Sequence, residues 1–217
     1  MSINLSKGQK IDLRKNVDNT ENNLSKMVIG LGWDIKRGAG DYDLDACALL
    51  LQNDSLLSTD DIVSYQNTKH TSNTVWSTGD NLTGDGDGDD EQIIALLDTV
   101  PNKYNKIVFY ATIYQGNSRG QEFSKVKNAF IRAVDRNGKQ LAKYNISNDP
   151  SANGMCSVVF AEAIRNGDTW EFRAVGNYYK TDKLRDVADM YRNGTQKAQV
   201  TSNSDSSQPR KKLFGLF

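Results

Sequence analysis

Between residues 80 and 91 the chain reads DNLTGDGDGDDE, which places Asp80, Asp85, Asp87, Asp89, Asp90 and Glu91 in one short stretch with no compensating base. Like charges at that density are unfavourable unless they are solvated or a cation neutralises them. Gly84, Gly86 and Gly88 alternate with the acids, so the backbone can fold tightly and offer carbonyl oxygens as well as side chains. Hard oxygen donors on a flexible loop suit calcium, which takes roughly 6–8 oxygen ligands, better than magnesium, which demands strict octahedral geometry. Zinc is disfavoured, because His70 is the only histidine and neither cysteine stands near a second ligand.

The spacing is not that of an EF-hand. Counted from Asp85, the sixth position is Asp90 where glycine is required, and the twelfth is Leu96 where a glutamate should bind. A calcium site built here must therefore recruit ligands from elsewhere in the chain. Asp41, Asp43 and Asp45 are the obvious second source. Alternating on an extended strand, they share one face at a spacing of roughly 6.6 Å. The alternative is plain: a solvated acidic turn and the polar side of an exposed strand.

The elements that must position these acids read as strands. Short apolar runs bounded by Gly, Asn, Asp and Ser occur at 27–33, 44–51, 62–66, 107–114, 155–160 and 170–176. Residues 91–97 fit either a strand or a turn and a half of helix. Residues 126–146 predict a hairpin around Asn137-Gly138, with positive φ expected at both central turn residues; the rival is a helix over 123–134. One helix is predicted over 182–192, with Thr181 as its cap and Leu184, Val187, Ala188 and Tyr191 as its apolar stripe. Many short strands and few helices predict a mainly β protein, a two-sheet antiparallel β-sandwich with a few short helices including one near the C-terminus. Trp33, Trp76 and Trp170 are expected as core or edge anchors and His70 in a surface loop. Arg132 is expected to pair with an acid on a neighbouring strand.

The 217 residues carry zero net charge, with 37% apolar and 25% charged residues. That balance gives no reason to expect a nucleic-acid partner. The opening residues lack an apolar signal core, and no run approaches the roughly 18 apolar residues of a membrane span. A cytoplasmic protein with reduced Cys47 and Cys156 is expected. Residues 1–194 read as one domain. Residues 195–209 are polar and read as a flexible linker. Residues 210–217 join Arg210, Lys211 and Lys212 to Leu213, Phe214, Leu216 and Phe217. A basic triplet followed by four large apolar side chains suits docking on a partner, or peripheral contact at the inner membrane face.

Five stretches resemble the TerD family of tellurium-resistance and general stress proteins. They are residues 30–34 (GLGWD), 43–46 (DLDA), 79–91 (GDNLTGDGDGDDE), 128–132 (NAFIR) and 170–174 (WEFRA). The resemblance spans residues 1 to about 194, and the acidic block is its most specific part. It implies a bacterial calcium-binding β-sandwich with no settled enzymatic activity. It also implies that Asp43, Asp45, Asp80, Asn81, Asp85, Asp87, Asp89, Asp90 and Glu91 hold one or two calcium ions. The linker and tail lie beyond what the resemblance explains. A non-catalytic stress protein that recruits protein partners is the function expected. The alternative is a metal-dependent enzyme acting on a nucleotide or phosphate ester, though no GxxxxGK[ST] phosphate loop occurs.

Overall fold

The computed structural model describes residues 3–13, 25–34, 42–78, 88–146 and 149–192. Of the sequence-predicted site residues, Asp80, Asn81, Asp85 and Asp87 lie outside this set, as do Asp41, the linker and the tail residues Arg210, Lys211, Lys212, Leu213, Phe214, Leu216 and Phe217.

The described chain forms strands β1 (Ile3–Asn4), β2 (Lys10–Asp12), β3 (Met27–Asp34), β4 (Leu44–Leu51), β5 (Ile62–Val63), β6 (Val75–Ser77), β7 (Glu91–Ala95), β8 (Lys106–Ile113), β9 (Lys127–Val134), β10 (Gln140–Asn145), β11 (Ser157–Asn166) and β12 (Thr169–Tyr179). Two short helices, α1 (Gly116–Arg119) and α2 (Leu184–Asp189), accompany them. The strands form two six-stranded sheets, in the orders β1-β10-β9-β3-β7-β6 and β2-β12-β11-β8-β4-β5. All pairs are antiparallel except β1 with β10, which is parallel.

Alternation decides which face is inside. Met27, Ile29, Leu31 and Trp33 of β3 meet Leu44, Ala46, Ala48 and Leu50 of β4 and Ile107, Phe109, Ala111 and Ile113 of β8 in the core between the sheets. Every residue of β4 is buried. Its other face, Cys47, Leu49 and Leu51, belongs to a second apolar cluster with Val108, Tyr110, Val159 and α2's Val187 and Ala188. A strand covered on both faces has little polar surface to show, which is why 46–51 reads as a continuous apolar run after the buried Asp45.

The hairpin prevails over the rival helix, with a different turn from the one expected. Gly138 has φ +78°, whereas Asn137 is not among the positive-φ residues. The buried Asp135 carboxylate accepts from the backbone N–H groups of Asn137 and Lys139, both at 2.9 Å. The loop therefore uses one left-handed glycine and an Asx turn. Helix α2 is shorter than predicted. Lys183 holds its N-cap position without a side-chain bond. The Thr181 hydroxyl instead accepts from the Lys183 N–H at 3.1 Å and donates to Asp186 at 2.6 Å.

Candidate metal centre

Four of the sequence motifs meet where β3, β4, β7 and β9 come together. At its centre is the end of the acidic stretch, residues 88–91. Gly30 and Gly32 alternate along β3 because the acidic segment lies directly on them. A Cβ on Gly30 would stand 2.1 Å from the Asp89 carboxylate, and one on Gly32 would stand 2.5 Å from both the Gly88 carbonyl and the Phe130 ring. This close approach is the physical reason for glycine inside a central strand.

Each acid at this end has a defined partner. The Asp89 side chain is 1% exposed. One of its oxygens accepts from Arg132 Nε at 2.7 Å and the other from Gln92 Nε2 at 3.1 Å. Asp90 accepts the Trp33 N–H on its carboxylate at 2.8 Å and donates its own N–H to the Leu31 carbonyl at 2.9 Å. It thereby continues the β3–β7 ladder one step beyond the strand. Glu91 is 5% exposed and crosses to the other sheet, where its Oε2 accepts the Ala46 N–H at 2.5 Å.

That last bond ties the acidic segment to the strand bearing Asp45. Asp45 is itself buried and pairs in register with Thr112 of β8. Asp43 precedes the strand, its carbonyl accepting the Tyr114 N–H at 2.8 Å. The Cys47 thiol also registers the concentration of charge. Burial pushes its pKa well up, and the Asp45 and Glu91 carboxylates push it further. Burial likewise raises the Cys156 thiol, with Asp182 and Glu122 adding. Both thiols are free and protonated at neutral pH.

Of the nine sequence-predicted ligands, five are described. Glu91 is bonded to the backbone of Ala46, next to Asp45 in β4, Asp43 and Asp90 immediately precede β4 and β7, and Asp89 is turned onto Arg132. Among the described residues no group of three His, Cys, Asp or Glu side chains is arranged to hold a metal. A complete site would need donors from residues 80–87. The donors that are described are all hard oxygens, which fits calcium and not zinc.

Sequence reasoning anticipated that Arg132 pairs with an acid and missed Gln92 altogether. The alternating glycines of β3 were the available signal for Asp89's seat. His70 corrects the expectation of a surface loop: it is 1% exposed. The Ser72 N–H donates to His70 Nδ1 at 3.1 Å, so the proton sits on Nε2, which donates to Asp61 Oδ1 at 3.2 Å. The Tyr104 hydroxyl donates to the same oxygen at 2.5 Å. This network closes the β5–β6 end of the molecule. Trp33 and Trp170 are buried in the core, whereas Trp76 is half-buried on edge strand β6 under Lys69.

The sequence matches the TerD domain family over residues 1–191. The chain belongs to the TerD family. It is 41% identical to tellurium resistance protein TerX of Serratia marcescens over 209 residues, covering 85% of this chain and 96% of that one. It is 40% identical to stress response protein SCP2 of Bacillus subtilis (strain 168), covering 88% of this chain and 100% of the relative. A solved Streptomyces coelicolor A3(2) homologue of telluride resistance protein TerD superposes with a TM-score of 0.62 at 20% identity. That match covers 80% of this chain and 99% of the homologue, and establishes the shared TerD fold. Among the described residues no helix is long and apolar enough to cross a membrane.

Proposed function

We propose that this TerD-family chain is a calcium-binding, non-catalytic protein of tellurite or general stress resistance, and that calcium orders the surface it offers to partners. The observation carrying this reading is the bond from Glu91 to the Ala46 N–H. It pins the end of one acidic stretch beside Asp45 of the other, although Ala46 and Glu91 are 45 residues apart. Backbone and guanidinium groups fix residues 89–91, so the acids before them start from a rigid base. In this reading Asp43 and Asp45 hold calcium together with Asp80, Asn81, Asp85 and Asp87, and Asp90 and Glu91 complete the set through oxygens beyond their backbone bonds. Asp89, saturated by Arg132 and Gln92, orients the segment.

Calcium supplies charge neutralisation there, and binding appears as folding free energy. The absence of a catalytic role is supported by the state of the usual nucleophiles and bases. Both thiols are held protonated, and His70 is committed to Asp61. The names of relatives TerX and SCP2 support the stress assignment.

Calorimetric titration of calcium into chelator-stripped protein is the direct test. Saturable uptake of one or two ions is expected, with magnesium far weaker and Asp45→Asn lowering affinity at least roughly tenfold. A flat calcium titration would sink the reading. Recruitment by the tail is a separate component of the proposal: deleting residues 209–217 is expected to abolish co-sedimentation with anionic vesicles or capture of a protein partner. Unchanged behaviour in both assays would remove the tail from the account.

A further inference from the structure

A groove of about 470 Å³ opens on the outer face of the second sheet. One wall carries Tyr65 and Tyr114, which meet edge to face with ring centroids 6.4 Å apart. Gln66 and Gln115 donate to the hydroxyls of these tyrosines at 3.2 and 3.3 Å and so steady the rings. The opposite wall is residues 182–185, at the start of α2. It is fixed at two points. The Tyr110 hydroxyl donates to the Leu184 carbonyl at 3.1 Å, and the Asp182 carboxylate accepts the Asn117 N–H at 3.0 Å.

The open rings set this groove apart from the rest of the surface. Among the described residues only Leu57, Tyr65 and Tyr114 are exposed large apolar side chains, and two of the three line it. Apolar rings gathered in a concave site are the kind of surface that an apolar partner covers.

The chain itself carries such a partner close by. The last described residue is Arg192. Tyr191 before it is buried, and its carbonyl accepts the Leu56 N–H at 2.8 Å, so the point where residues 193–217 leave the domain is anchored. From Leu184 in the groove wall to Arg192 is about 12 Å at helical rise. Residues 193–212 then precede Leu213 and contain no leucine and no aromatic residue. A flexible chain of that length spans roughly 25 Å root-mean-square, which is ample for the distance. The composition of the tail selects what enters. Leu213, Phe214, Leu216 and Phe217 are large and apolar. Lys183 and Arg185 stand exposed on the far wall, and like charge holds Arg210, Lys211 and Lys212 outside.

We propose that the groove is the docking site of the chain's own residues 213–217. Their leucines and phenylalanines pack on Tyr65, Tyr114 and Leu184, and the basic triplet stays in solvent. A partner or an anionic membrane must then draw the tail out before it can use it. This builds on the reading of the tail as a docking peptide given above, and it needs no calcium.

The test is binding of a fluorescein-labelled peptide of residues 209–217, read by anisotropy, to two full-length chains. One is the wild type, and the other carries Leu213→Ser, Phe214→Ser, Leu216→Ser and Phe217→Ser. The tail variant is expected to bind the peptide at least about tenfold more tightly, because in the wild type a tethered tail competes at millimolar effective concentration. Adding Tyr65→Ala and Tyr114→Ala to the tail variant should abolish peptide binding. Adding Leu57→Ala instead, exposed but outside the groove, should leave it unchanged. Equal binding by wild type and tail variant overturns the proposal, as does binding that survives the tyrosine changes. A nitroxide on Ser206→Cys gives a second reading with the groove intact, since Cys47 and Cys156 are buried. It should broaden the amide NMR signals of Gln66, Gln115 and Ser118 in the same molecule. Broadening only between a spin-labelled chain and a separate ¹⁵N-labelled one would seat the tail in a second copy and overturn the proposal, as would no broadening at all. Capture of the tail by vesicles or a partner without groove binding sinks this inference alone. Groove binding without either capture removes recruitment alone.

Discussion

Arg132→Met is expected to destabilise the folded domain by about 3–5 kcal/mol, read from urea unfolding at neutral pH. The change leaves Asp89 with its side chain 1% exposed and without the guanidinium 2.7 Å away. Gln92 still donates to one oxygen, and one amide cannot stand in for a cation. The carboxylate has nowhere to retreat, because it fills the place a side chain on Gly30 would occupy. Two companion measurements make the result specific. Asp89→Asn combined with Arg132→Met should recover most of the loss, since the double variant buries no unpaired charge. The loss should also be the same in calcium and in EGTA. A loss confined to EGTA would make Asp89 a calcium ligand, and a loss below about 1 kcal/mol would end its role as a buried anchor.

Chelation should produce the other large effect. With calcium at 1,000 times its Kd, each ion bound only by the folded state contributes about 4 kcal/mol. In a domain of this size that corresponds to a fall in Tm of about 8–16 °C on adding EGTA. Asp45→Asn should abolish most of this calcium dependence, because the variant removes a charged ligand. Identical melting of the wild type in calcium and EGTA would contradict the metal reading outright.

The sandwich was legible because its strands advertise themselves locally. Residues 27–33 and 107–114 alternate or run apolar between turn residues, and each became a strand of nearly that extent. The run at 62–66 gave only Ile62–Val63, because the Ser64 hydroxyl accepts the Gln66 N–H and the backbone folds into a turn bridging Ser64 and Asn67. What escaped was nonlocal. His70 sits in a polar stretch that looks like loop, and its partners Asp61 and Tyr104 are 9 and 34 residues away. Nothing in the spacing of Asn67 to Asn73 reports an acid and a tyrosine arriving from elsewhere. Asp89 was legible as an acid in a cluster, and its diversion to Arg132 was not. That depends on β3 and β9 lying side by side with Gly30 opposite Arg132 in register. Strands β1 and β2, only 2 and 3 residues long, carry too little pattern to be read as strands.

Those two short strands set a timetable for the nascent chain. Ile3 pairs with Ala142 in one sheet, and Ile11 pairs with Phe172 in the other. The residues of β1 and β2 therefore wait for partners made 139 and 161 residues later. At 5–20 residues per second, the interval before Ala142 exists is roughly 7–28 s, and β2 waits longer still. During that time β3, β4 and β8 have been synthesised with much of their apolar surface still lacking its final cover. The two sheets are tied together through β1 and β2 only once β10 and β12 exist, although β1 and β2 are made before them.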